Sequence, residues 1–218
     1  MKYTKSILLI FALVGISAVG QEPSSIEKEP TPLQSALSQE LIAMGEEDQK
    51  FRTILQEALI KAASVPGSEQ PKDLHDLVEK QDKIDRKNLA RLEEVIQHHG
   101  WPGKSLVGTK ASMAAFLILQ HSELPTQEKY LTMFKEAAKC GEARKADAAM
   151  LEDRVLMRQG KKQIYGTQLQ SNAESNGKLF VFPIDDELHV DERRSGVGLP
   201  PLKEYLKHFG LEYEPPAK

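Results

Sequence analysis

Asp48 sits between Met44 and Phe51, where the stripe Leu33, Leu37, Leu41, Met44, Phe51, Leu55 and Leu59 calls for another apolar side chain. A carboxylate buried there is costly unless paired, and Arg52, one helical turn on, is the local partner. Asp85, Leu92 and His99 recur every seven residues on the next helical stretch, so a second carboxylate and an imidazole flank one apolar face. Carboxylates and imidazoles in such places either form a polar core network that fixes helix register or carry out acid–base chemistry.

A further imidazole comes with Gln120 and His121, at the end of the almost wholly apolar run Ala111 to Leu119, and His98, His99, Gly100, Trp101 and Pro102 form a second polar junction. Zinc would want close Cys and His spacings or two ligands at i and i+4, and neither is present, so no metal or cofactor is expected. The string Gly103 to Ser105 (GKS) is no phosphate loop. His98 stands where the first glycine belongs, and a helix precedes the loop instead of a strand.

Asp153 and Arg154 lie deep in a helix, near Met150 and Met157, and point about 100° apart. They offer an acceptor and a fork-shaped donor at the edge of a buried face, as a ligand site or as a structural ion couple. Gln163, Tyr165 and Thr167 alternate on the strand that follows, with Gln168 on its other face, and Gly166 leaves room for a close approach. Asp191, Arg193 and Arg194 read as a charged loop before Gly196 and Gly198.

The elements that must position these groups follow from periodicity. Helices are expected from Leu33 to about Leu59 (ended by Pro66 and Gly67), Asp73 to His99 (capped by Gly100), around Ala111 to Leu119, from Pro125 to Gly141, and from Glu142 to Gln159 (closed by Gly160). Two short β-branched runs, Gln163 to Leu169 and Leu179 to Ile184, read as a hairpin, and a last helix spans about Pro201 to Phe209. The fold class is therefore mainly α: a compact helical domain of five to six helices with one small β-hairpin near the C-terminal third.

Lys2, Lys5, the apolar run Ile7 to Val14 and the small residues to Gly20 have the layout of a secretory signal over residues 1–20. A flexible leader over 21–32, one domain over 33–212 and a disordered tail over 213–218 complete the expected organisation, with the protein exported to the periplasm or beyond. The apolar core is too short to span a bilayer, so no membrane association is expected after cleavage. With 29 Lys and Arg against 32 Asp and Glu, net charge −3, the chain lacks the basic surface of a nucleic-acid binder. Cys140 is the single cysteine, which excludes an internal disulfide.

The strings DQKFR, HHGWP, LQHS, LEDRVLMRQGKKQIYGTQ and VDERRSGVGL, in this order over about Leu41 to Leu206, resemble a bacterial family of unknown function. The resemblance carries no activity with it. It marks Gly100 to Pro102, Gln120, His121, Asp153, Arg154, Gln163, Tyr165, Gly166, Gln168 and Arg193 as the positions to test.

Two functions fit these residues. One is a binding domain that holds a small anionic or amide-bearing ligand, or a protein partner, on a concave patch formed by Trp101, Gln120, His121, Asp153, Arg154, Gln163, Tyr165, Gln168 and Arg193. The other is a hydrolase or lyase with His121 or His99 as general base, Asp153 orienting it and Arg154 stabilising an anion. Geometry separates them, because the enzyme requires an imidazole nitrogen and a carboxylate within hydrogen-bond reach in one pocket, and this reading falls if His99, His121 and Asp153 lie scattered.

Overall fold

A computed structural model describes residues 32–63, 72–171, 175 and 178–214. The expected signal peptide, the leader as far as Thr31, the break at Pro66 and Gly67, and residues 215–218 lie outside the described residues. The fold is mainly helical, with seven α-helices and one two-stranded antiparallel sheet among the described residues. It consists of two compact units, one ending at Ala143 and the other starting at Arg144.

The first unit is built from α1 (Pro32–Ala63), α2 (Lys72–His99), α3 (Lys104–His121) and α4 (Leu124–Lys139). α1 packs on α2 and α3, α2 on α3, and α3 on α4. Leu37, Leu41 and Met44 of α1 bury against a core that includes Leu92 and Val95 of α2 and Ala111, Ala115, Ile118 and Leu119 of α3. The small residues have a reason: a Cβ at Gly45 would lie 2.7 Å from that of Ala114, so glycine is what lets α1 and α3 approach so closely. α2 ends as its sequence predicts, on a left-handed Gly100 whose N–H donates to the Ile96 carbonyl at 2.9 Å. α3 holds a difference from expectation: Gly108 takes φ 80° and ψ 165°, a backbone shape open essentially to glycine alone, and kinks the helix there.

The second unit holds α5 (Lys145–Arg158), β1 (Leu169–Gln170), β2 (Phe180–Val181), a 3-10 turn (Glu187–His189), α6 (Val190–Gly196) and α7 (Leu202–Lys207). Leu169, Ile184, Val190, Leu202, Tyr205 and Leu206 form its apolar cluster, with Leu211 and Tyr213 packed against it. The hairpin is present but much shorter than its sequence suggests. Leu169 pairs with Val181 and Gln170 with Phe180, and the only further bridge described joins Gln163 and Ile184. The cause lies in α5: the Asp153 carboxylate takes the amides of Ile164, Tyr165 and Thr167, leaving them unavailable to a ladder. The stretch read as a charged loop from Asp191 is instead α6, because Val190 and a buried Arg194 one turn later share its inner face. This adds a helix to the expected five or six.

Gly166 adopts φ +70°, and an added Cβ would lie 2.9 Å from both Ile184 Cδ1 and Leu202 Cδ1. Gly166→Ala combines left-handed strain with overpacking of the cluster, and it should lower stability by about 2 kcal/mol. A urea titration checks this, and an unchanged midpoint would contradict it.

Candidate functional site

In the first unit, Asp48 is 1% exposed, and its ionised oxygens are met from three helices. Arg52 Nε–H donates to Oδ1 at 3.0 Å, Gln81 Nε2 to Oδ1 at 3.3 Å, Gln49 Nε2 to Oδ2 at 2.7 Å, and His121 Nδ1 stands 3.0 Å from Oδ2. Arg52 reaches onward, its second nitrogen donating to Asp85 Oδ1 at 2.6 Å, where Gln81 also donates at 2.8 Å. α1 supplies Asp48 and Arg52, α2 supplies Gln81 and Asp85, and the last turn of α3 supplies His121. That last turn is pinned: Gln127 of α4 donates to the Gln120 carbonyl at 2.8 Å, and Ser122 Oγ donates to the Leu119 carbonyl at 2.8 Å. These bonds satisfy carbonyls that a helix end otherwise leaves open, and they fix where the imidazole stands.

Burial alone would push the Asp48 carboxyl up, but the hydrogen bond and charge of His121, together with Arg52, hold it below the usual carboxylate range. An ionised carboxylate only accepts, so the His121 ring carries its proton on Nδ1, and in the neutral ring the basic lone pair is on Nε2. Asp85 behaves oppositely. Its burial raises it, against Arg52 and Gln81, and the neighbouring Asp48 charge adds to the rise. One cluster therefore holds a carboxylate favoured in its charged form, a second that takes up a proton more readily, and an imidazole. Environments that push neighbouring titratable groups apart are typical of acid–base sites.

The second unit collects the other candidates around Asp153, which is 0% exposed. Its oxygens accept from the amides of Ile164 (2.7 Å), Tyr165 (3.0 Å) and Thr167 (3.0 Å) and from the Thr167 hydroxyl (2.9 Å). Burial raises its carboxyl, with these donors pulling the other way. Gln163 is also fully buried: Nε2 donates to the carbonyls of Gln168 and Phe182, and Oε1 accepts the Gln168 amide at 2.8 Å. Gln168 Nε2 donates to Thr167 Oγ1 and the Met150 carbonyl. Arg193 donates to the carbonyls of Ile164, Asp185 and Asp186. Arg194, 0% exposed, donates to the carbonyls of Tyr165 and Pro200 and lies 4.9 Å from the Tyr205 ring centre, while Tyr205 donates to the Thr167 carbonyl. The YGTQ segment is thus a loop tied to the chain through Asp153, Gln163, Arg193 and Arg194.

The profile of the Family of unknown function (DUF6624) matches residues 35–214, nearly the whole of both units. The chain belongs to that family. No curated protein and no solved structure matches it. The DUF6624 match spans the Asp48 cluster of the first unit as well as the Asp153 knot of the second.

The sequence-derived candidates divide between the units. Trp101, Gln120 and His121 lie in the first, and Asp153, Arg154, Gln163, Tyr165, Gln168 and Arg193 in the second. Asp153, Gln163, the Tyr165 backbone, Gln168 and Arg193 are brought together around one loop, and Arg154 is buried in α5. The Trp101 ring packs on Phe134, 4.6 Å between centres, and His99 is exposed at the end of α2. The carboxylate at His121 is Asp48, the charge that interrupts the apolar stripe of α1. Gln81 escaped notice, though it interrupts α2's apolar spacing between Leu77 and Ile84, as Asn88 does between Ile84 and Leu92. Among the described residues no group of three His, Cys, Asp or Glu side chains could hold a metal ion, and no helix is long and apolar enough to cross a membrane.

Proposed function

We propose that the first unit carries an acid–base site of the hydrolase or lyase class, with His121 as the proton carrier and Asp48 as the residue that orients it. The observation that carries this reading is the 3.0 Å approach of His121 Nδ1 to Asp48 Oδ2, inside a cluster closed by Arg52 and Asp85. A carboxylate on Nδ1 fixes the tautomer and ring plane and favours the imidazolium formed when Nε2 accepts a proton. Arg52 bridges the two carboxylates, and Asp85, 27% exposed at its side chain, is the more exposed group that can give or take a second proton.

The alternative, a binding patch built from Arg154, Gln163, Gln168 and the Arg193 loop, draws less support from the geometry, since Gln163, Gln168 and Arg193 donate to the chain's own carbonyls. Export remains part of the proposal, on the strength of Lys2, Lys5 and the apolar run after them.

The test is a panel of p-nitrophenyl esters, p-nitroanilides and β-substituted carbonyl compounds, assayed with the full chain and with His121→Gln. Turnover that disappears in His121→Gln supports the reading. Turnover that is equal in both proteins overturns it.

A further inference from the structure

Among the described residues Asp48 and Asp85 share one guanidinium, that of Arg52, and Asp85 is the more exposed of the two carboxylates. The flanking charges on α1 are offset, Glu46 by Lys110 and Glu47 by Lys87. The cluster also has an unmet need. Gln81 is 3% exposed, and while its Nε2 serves both carboxylates, its Oε1 is buried with no donor among the described residues. A buried acceptor without a donor costs stability, and an N–H group arriving from outside beside the two carboxylates would relieve that cost.

We propose that this cluster takes a cationic N–H donor, an ammonium or guanidinium group, and disfavours anions. Asp85 is the outward carboxylate that meets the incoming cation, and Gln81 Oε1 is the inner acceptor that its N–H groups satisfy. An anion would face two carboxylates whose guanidinium is already engaged with them, and like charges at this range repel strongly once water is excluded. The inference rests on reading the cluster as a functional site.

The experiment is a titration of the full chain with methylguanidinium chloride and, separately, with sodium phosphate at matched ionic strength, followed through the His121 ring resonances. Methylguanidinium should move them saturably, with an apparent Kd about tenfold weaker in Asp85→Asn, a charge-assisted contact's worth. Phosphate should leave them in place. Gln81→Met, which removes Oε1 at similar length, should weaken methylguanidinium binding in the same direction and serves if Asp85→Asn does not fold. Saturable shifts with phosphate, no shifts with methylguanidinium, or an affinity indifferent to both substitutions would overturn the proposal. Its failure is separable from that of the acid–base reading: saturable methylguanidinium binding alongside turnover indifferent to His121→Gln keeps this inference and removes only the catalytic one.

Discussion

Asp153→Ala is expected to cost about 4 kcal/mol of stability. The carboxylate of Asp153 is the acceptor for three backbone amides and one hydroxyl from Ile164 to Thr167. With it gone, donors that folded around a charge lose their partner, and each buried orphan costs roughly 1–3 kcal/mol, short of additive because water can reach the outer ones. Asp153→Asn should cost less, about 2 kcal/mol, since one oxygen still accepts but the amide nitrogen now faces the Thr167 N–H and hydroxyl. Urea melts of the two variants against the parent chain check the order. A loss below 1 kcal/mol for Asp153→Ala would mean that the loop is held by Gln163, Arg193 and Arg194 without it.

The second large effect concerns activity. His121→Gln and Asp48→Asn should each lower turnover on any substrate found by about 10²–10⁴-fold, the range for a positioned general base and the group that orients it. Because the two act as one unit, the double variant should be little worse than His121→Gln alone. Multiplying losses in the double variant would show that they act separately. Asp48→Asn also removes a charge that pairs with Arg52, so its melting temperature is measured alongside, to separate lost chemistry from lost fold.

Much of this architecture was legible from residue spacing. α2 ends at Gly100 and α5 at Gly160 because glycine alone takes the left-handed cap without penalty, and both positions could be read directly. Asp48 and Arg52 were legible for the same kind of reason, as a charge in an apolar stripe with a partner one turn away. What stayed hidden was the third element. Nothing local to His121 says that the carboxylate it meets lies 73 positions earlier, since that follows from how α1 and α3 cross, which small residues such as Gly45 and Ala114 decide.

The hairpin shows the opposite case, where a local signal was strong and was overruled. Gln163 to Leu169 has the β-branched and aromatic character of a strand, yet its amides turn to Asp153, because a buried carboxylate needs donors more than a short edge strand needs a ladder. Arg194 misled in the same direction. A buried arginine at the position where a helix wants a Leu conceals the period of α6, and only its bonds to the carbonyls of Tyr165 and Pro200 explain it.

The most direct test of the central claim is the pH titration of the His121 ring by NMR, in the parent chain and in Asp48→Asn. A ring that carries protons must titrate between about pH 5 and 9, and removing the carboxylate that favours its charged form must move the midpoint down. A ring that titrates in the parent chain and shifts downward in Asp48→Asn is the predicted result. A ring that holds one protonation state across the whole range, or a midpoint indifferent to Asp48→Asn, would contradict the account.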